Sequence, residues 1–206
     1  MYFTRNAHFV AEGYQRGTTE KNTYASVVSR EMFCTLLLLA ALNDVGVIIP
    51  DIQGAYLNAP SKDNLLFRPG AEFDLRKGLA VVVFRSLYGM KSAGSVWRAQ
   101  LAHTMPDLGF AYCLDNTDVW MQKFVKLDGF NYRYCALIHT DDILVISHDD
   151  NAIMEGVDKF YILKKYSEKK KTYCEPRRYL GANVDKFDFL DGSDAALFIS
   201  VDEYFK

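Results

Sequence analysis

Residues 134–139 and 143–147 are two apolar, strand-forming runs separated by Thr140-Asp141-Asp142. That layout predicts a hairpin whose arms are buried and whose tip carries two adjacent carboxylates. Unpaired carboxylates beside a packed core are costly, so they need a partner. Two readings of the tip stand side by side. Asp141 and Asp142 hold a divalent cation, or they form a polar turn, for which aspartate is a favoured residue.

A second acid has a similar setting. In Val47-Ile48-Ile49-Pro50-Asp51-Ile52, Asp51 ends a β-branched run at 45–49 and is followed by Gly54-Ala55-Tyr56-Leu57. Asp51 is far from Asp141 in sequence, but strand ends within one sheet can bring them together. Carboxylates on adjacent strands can hold two Mg2+ ions, a reading that competes with a simple capping or turn acid. A third segment, Ser86-Leu87-Tyr88-Gly89-Met90-Lys91-Ser92, links a predicted strand (78–84) to a predicted helix (92–108). Its glycine would let a substrate approach the backbone and its lysine could meet phosphates; an ordinary turn with a surface lysine explains it equally.

The remaining pattern mixes helices and strands without βαβ rhythm, so the expected fold class is α+β. Ser29 is placed as the N-cap of a helix running to about Leu42, with Glu31 in its first turn and Asn43-Asp44 breaking it. Phe9-Val10-Ala11 reads as the end of a short strand before Gly13, 152–166 as a helix, and 196–201 as a last strand.

Composition narrows the function classes. Half of the 206 residues are hydrophobic, and the net charge of −2 gives no overall basic footprint for nucleic acid. Basic charge is instead local. Lys164, Lys165, Lys169, Lys170, Lys171, Arg177 and Arg178 are opposed only by Glu168 and Glu175, which reads as a solvated face or a phosphate-facing stripe. Cys34, Cys113, Cys135 and Cys174 never form Cys-x-x-Cys, which fits reduced thiols in an intracellular, cytoplasmic protein. The N-terminus lacks a signal-peptide layout, and the longest apolar stretch, 32–42, is too short to span a bilayer.

Taken in order, these segments resemble the Ty1/copia family of retrotransposon reverse transcriptases. Asn6-Ala7-His8-Phe9-Val10-Ala11-Glu12-Gly13 is similar to the family's Lys-Ala-Arg-Leu/Phe-Val-Ala-x-Gly, and Tyr24-Ala25-Ser26-Val27-Val28 to its Phe/Tyr-x-Pro/Ser-Val-Val. Asp51-Ile52-Gln53-Gly54-Ala55-Tyr56-Leu57-Asn58 resembles Asp-Val-x-x-Ala-Phe/Tyr-Leu-Asn. Leu87-Tyr88-Gly89-Met90-Lys91 with Trp97 resembles Leu-Tyr-Gly-Leu-Lys and its following Trp. Asp141-Asp142-Ile143-Leu144 and Tyr179-Leu180-Gly181 resemble the late Asp-Asp-Ile-Leu and Phe/Tyr-Leu-Gly segments.

The resemblance implies an RNA-directed DNA polymerase acting through two Mg2+ or Mn2+ ions on an RNA template, a DNA primer and dNTPs. It implies right-hand fingers (roughly 1–45 and 60–90) and a palm (roughly 46–59 and 91–206), with helices packed on an antiparallel palm sheet. Asp51, Asp141, Asp142 and the Ile52 carbonyl would hold the metals. Ala55, Tyr56, Gly89, Lys91 and Arg5 would meet the nucleotide, with Tyr56 as the steric gate against a 2′-hydroxyl. Tyr88, His139, Thr140, Tyr179, Leu180 and Gly181 would lie along primer and template. By this reading the chain begins inside the fingers and stops after the palm. The thumb is absent, the RNase H and integrase parts lie elsewhere, and the chain is a polyprotein fragment or a decayed copy.

Departures from the pattern bear on activity. His139-Thr140 stand where the family has Tyr-Val, Ser92 and Gly94 where Gln and Pro are more frequent, and Asn6 and His8 where Lys and Arg are expected. Only Arg5 remains nearby, and each lost charge-assisted bond removes roughly 1.5–3 kcal/mol of nucleotide binding. The alternative is therefore an inactive remnant with a folded palm and weak or no nucleic-acid binding. A metal-dependent nuclease using the same acids, with His139 as base, leaves the Leu-Tyr-Gly and Tyr-Leu-Gly segments unexplained.

Overall fold

Ser29 starts the first helix. Its backbone is extended (φ −73°, ψ 150°) and its Oγ accepts the Met32 N–H at 3.2 Å, satisfying one of the donors a helix start leaves open. The helix α1 (Arg30–Leu42) then runs until Asn43 caps it and Asp44 turns the chain at φ 47°. The computed structural model describes residues 9–12, 27–71, 73, 77–125, 129, 131–163, 178–187 and 196–200. Arg5, Asn6, His8, Cys174 and the basic run at 164–177 lie outside them.

Two compact units share the chain: Met1–Ala25 with Gly54–Gln100, and Ser26–Gln53 with Leu101–Lys206. The second is built on a five-stranded antiparallel sheet. Its strands are β1 (Gly46–Ile48), β4 (Ala111–Tyr112), β5 (Val119–Val125), β6 (Asn131–His139) and β7 (Asp142–Ser147), in the order β1-β7-β6-β5-β4. The predicted hairpin is β6–β7, paired from Cys135↔Ile146 to His139↔Asp142. β5, whose period-two pattern is interrupted by Gln122 and Lys123, was not foreseen.

Register explains the core. The pairings Val119↔Leu137 and Leu137↔Leu144 place those three residues in one cross-strand row, which the β1–β7 register extends to Ile49. All four pack in one cluster with Phe33, Leu36, Leu37 and Ala40 of α1, so one sheet face is covered by that helix. Each such side chain, when fully buried, contributes roughly 1.5–3 kcal/mol. A three-stranded antiparallel sheet, β8 (Arg178–Tyr179), β9 (Ala182–Phe187) and β10 (Ala196–Ser200), adds Tyr179, Val184 and Leu197 to this cluster.

Two predicted helices are shorter than expected. α2 (Ala93–Thr104) tightens into a 3₁₀ turn at Met105–Leu108, because Pro106 has no N–H to continue an α-helix. α3 (Asp150–Asp158) is capped by Asp149, whose carboxylate accepts the Ala152 N–H at 2.9 Å. It ends well before the expected 166. The chain after it runs alongside the segment following Asp51, with Ile52 bridged to Leu163 and the Gln53 N–H donated to Ile162 at 2.8 Å. A hydrogen bond of 2.6 Å joins the hydroxyls of Tyr161 and Thr104.

The first unit carries a two-stranded ribbon, β2 (Pro60–Phe67) and β3 (Val81–Arg85), preceded by a 3₁₀ turn at Ala55–Asn58. Buried Ser86 ties the ribbon's end by donating its N–H to Ala59 and its Oγ to Pro60. Ser92, also buried, donates to the Asp63 carboxylate at 2.5 Å. Phe9, Phe67 and Phe73 form an aromatic cluster with ring centroids 5.2–6.2 Å apart. Residues 9–12 are not a strand, although Ala11 donates its N–H to the Tyr88 carbonyl at 2.7 Å. Among the described residues, no helix is long and apolar enough to cross a membrane.

Candidate active site

The β1–β7 register, Gly46↔Ser147 to Ile48↔Val145, continued three places sets Asp51 opposite Asp142. On the other side of β7, Asp142 pairs with His139. Asp142 and His139 lie two positions beyond Leu144 and Leu137 on the same alternating face of the sheet, and Asp51, three residues past the end of β1, would join their row if the register continued.

The turn between β6 and β7 is Thr140-Asp141. Thr140 has φ 50°, a left-handed conformation that a β-branched side chain adopts at a cost. Its Oγ1 donates to the Asp141 carboxylate at 3.1 Å. The strain places Asp141 directly beside Asp142 at the sheet's end.

Asp142 records this crowding. Its pKa is raised, first by burial and then by the charge of Asp141, with Asp51 adding in the same direction. A hydrogen bond from the Leu180 backbone and the nearby His139 oppose the shift. Leu180 (φ 52°) and Gly181 (φ 80°) form the left-handed turn between β8 and β9. The late Tyr-Leu-Gly segment is thus held against the carboxylates by a backbone donor.

Its first residue points elsewhere. Tyr179 is fully buried, stacked on Phe33 with ring centroids 5.2 Å apart and planes 28° apart. Its hydroxyl is buried without a hydrogen-bond partner, and burial pushes its pKa up, with Asp142 and Asp118 adding to the shift. Leu180 and Gly181 are the part of the segment that reaches the surface.

His139 has a structural partner. Its Nδ1 accepts the Val28 N–H at 3.1 Å, which fixes the proton of the neutral ring on Nε2. The residue departing from the family's tyrosine therefore ties the Val27-Val28 segment to the end of β6.

Among the described residues, no group of three or more His, Cys, Asp or Glu side chains is gathered as a metal-holding cluster. The paired acids still suit Mg2+ or Mn2+, being hard oxygen donors. Mg2+ is commonly bound through one or two carboxylates, with water and substrate phosphates completing the shell.

The nucleotide residues named from the sequence lie in the first unit. Ala55 is buried, Lys91 is exposed, and the Tyr56 ring packs on Tyr88 at 4.6 Å and 59°. Gly89 has φ 85°, and a Cβ there would lie 2.0 Å from the Ala11 carbonyl oxygen. The close approach that requires glycine is thus made by the chain's own backbone. Sequence reasoning missed Asp118, buried at 5 % exposure just ahead of β5. Its carbonyl accepts the Ile138 N–H at 3.1 Å, a pairing set by the β5–β6 register that no local sequence signal shows.

Residues 3–188 match the family described as reverse transcriptase (RNA-dependent DNA polymerase). The chain belongs to the reverse transcriptase family. It is similar to the transposon Ty1-NL2 Gag-Pol polyprotein of Saccharomyces cerevisiae, 26 % identical over 151 residues that are 72 % of this chain and 8 % of the relative. It is also similar to the retrovirus-related Pol polyprotein from transposon TNT 1-94 of Nicotiana tabacum, 23 % identical over 151 residues, 71 % of this chain and 11 % of that one. The reverse transcriptase domain thus spans about a tenth of the length of these relatives. No solved structure matches it.

Proposed function

We propose that this reverse transcriptase domain is an RNA-directed DNA polymerase in which Asp51, Asp141 and Asp142 hold two divalent metal ions. The observation that supports this most is electrostatic. Asp51 lies close enough to Asp142 to raise its pKa, although the two are far apart in sequence. Asp141 and Asp51 both add to the raised pKa of Asp142, a mutual influence of carboxylates that suits groups awaiting cations.

Bound Mg2+ or Mn2+ would lower the pKa of the primer 3′-hydroxyl and neutralise the triphosphate. The protein's share is positioning and charge stabilisation. Asp51 and Asp142 present oxygens from neighbouring strands, the Thr140 turn aims Asp141, and the Ile52 carbonyl adds a neutral donor. Tyr56, supported by Tyr88, acts as the gate against a 2′-hydroxyl, and Lys91 meets phosphate. Leu180 and Gly181 face the primer strand, and RNA template, DNA primer and dNTPs are the substrates. In right-hand terms, the unit containing the five-stranded sheet is the palm and the unit containing the β2–β3 ribbon is the fingers. RNase H and integrase parts are the expected neighbours in a polyprotein.

Asn6 and His8, in place of two cations, favour the second reading, a folded remnant that no longer holds a nucleotide. Primer extension on an RNA template with dNTPs and Mg2+ or Mn2+ decides. Extension by the native chain that is lost in Asp141→Asn establishes the polymerase. No extension from a folded chain, with a thumb supplied by fusion, establishes the remnant.

A further inference from the structure

The turn that carries Gly89 and Lys91 is fastened at both ends by a buried serine. Ser86, before it, donates its N–H to the Ala59 carbonyl at 3.0 Å and its Oγ to the Pro60 carbonyl at 3.2 Å. Ser92, after it, is 2 % exposed and donates its Oγ to the Asp63 carboxylate at 2.5 Å. Between them, Leu87 accepts the Met90 N–H and Met90 accepts the Ala93 N–H, both at 3.2 Å. The acceptors for the two serines all lie at the start of β2 or directly before it.

β2 is irregular where it meets Ser92. Pro60 pairs with Arg85 and Leu65 with Val83, so five steps along β2 oppose two along β3. The surplus closes on itself, with the Ser61 Oγ donating to the Asp63 carbonyl at 2.9 Å and accepting the Asp63 N–H at 3.2 Å. A bulge gives up ladder bonds and re-aims a side chain, and here the carboxylate of Asp63 is turned to Ser92. A hydroxyl bonded to a carboxylate is charge-assisted, roughly twice as strong as a neutral pair. Ser92 also begins α2, its carbonyl accepting the Val96 N–H at 3.0 Å and the Ser95 Oγ at 2.9 Å. One bond therefore joins the turn, the helix start and the ribbon, immediately beside exposed Lys91.

We infer that Ser92 is a positioning residue for nucleotide binding, holding Lys91 in place for a triphosphate through its bond to Asp63. The inference rests on the reading of Lys91 as a phosphate contact. A lysine is a point charge on a flexible stem, so its reach is set by where its backbone is held. Released from Asp63, the turn spends less time in the binding orientation, and affinity falls by that fraction.

Binding of N-methylanthraniloyl-dATP with Mn2+ to the native 206-residue chain, followed by fluorescence, tests this without needing turnover. Lys91→Ala is expected to weaken binding about tenfold and Ser92→Ala about fivefold. Asp63→Asn keeps an acceptor for the hydroxyl and is expected to bind within about twofold of native, whereas Asp63→Ala is expected to match Ser92→Ala. The two Asp63 variants remove the same charge, so the difference between them reports the hydrogen bond. Asp63 is only partly buried, which keeps this comparison open if Ser92→Ala does not fold. In a Lys91→Ala background, Ser92→Ala is expected to have no further effect, a non-additivity that general loosening of the fold would not produce. Additive losses, equal binding by the two Asp63 variants, or native affinity in Ser92→Ala would overturn the inference and leave the reading of Lys91 standing. Native affinity in Lys91→Ala, or no binding by the native chain, would overturn that reading and the inference with it.

Discussion

The imidazole of His139 accepts the backbone N–H of Val28 across 111 positions of sequence, at 3.1 Å. The bond joins the segment leading into α1 to the last residue of β6, beside the carboxylate row. A phenylalanine at 139 fills similar space but leaves the Val28 donor without its acceptor. His139→Phe is therefore expected to lower stability by about 1–2 kcal/mol. Urea denaturation checks this through a lower midpoint at unchanged slope. An unchanged midpoint would show that Val28 is satisfied otherwise.

Asp142 couples stability to pH. Its folded-state pKa lies above the ordinary carboxylate value of 3.8, so it favours folding only while protonated. That contribution is complete below 3.8 and lost as pH rises through the folded value. Asparagine keeps an acceptor for the Leu180 N–H and removes the charge. Asp142→Asn is expected to raise the metal-free melting temperature at pH 7 by about 1–3 °C, a small gain because the group is only half-buried. The difference from the native chain is expected to shrink toward pH 4. A lower melting temperature at pH 7 would contradict the crowding of carboxylates.

Metal reverses that order. Mg2+ or Mn2+ bound by the native acids stabilises the folded chain by mass action, about 2.7 kcal/mol at a hundred times the dissociation constant. Asp51→Asn and Asp142→Asn are each expected to lose most of this rise. Calorimetry with and without Mn2+ checks it, and a rise that is equal in all three chains would place the metal elsewhere.

Gly89 is expected to tolerate no side chain. A Cβ would meet the Ala11 carbonyl at 2.0 Å in a left-handed backbone. Gly89→Ala is expected to cost roughly 1–3 kcal/mol and to expose the Ala11 amide, now bonded to Tyr88 at 2.7 Å, to hydrogen exchange. Retained protection of that amide would mean that the segment shifts without letting go.

Tyr179→Phe removes a hydroxyl that is buried without a partner, while keeping the ring on Phe33. Its expected effect on stability is neutral to a gain of about 1 kcal/mol, and its expected effect on primer extension is none. Lost extension with unchanged stability would assign the hydroxyl a role at the primer.

What the sequence disclosed divides along physical lines. The β6–β7 hairpin and α1 were legible because their signals are local: an apolar alternation, a serine cap, an Asn-Asp stop. The gathering of Asp51 with Asp142 was legible only as a possibility, since register belongs to the sheet and not to either strand. The partners of His139 and Tyr179 were not legible either: one accepts a backbone donor 111 positions away, and the other fills the core against Phe33. β5 escaped because Gln122 and Lys123 break its apolar run, and α3 was read too long because nothing in 159–163 marks a stop apart from its pairing with Ile52.

The pairing of β1 with β7 also sets a schedule for synthesis. Gly46 waits for Ser147, about a hundred residues later, and a ribosome adding 5–20 residues per second takes roughly 5–20 seconds to supply it. During that interval β1 has no neighbouring strand, and α1 has at most the β4–β6 part of the sheet to cover. Pairing this distant in sequence is also slow to form. Destabilising changes in α1 are therefore expected to lower the yield of folded protein in cells more than the stability of protein already folded.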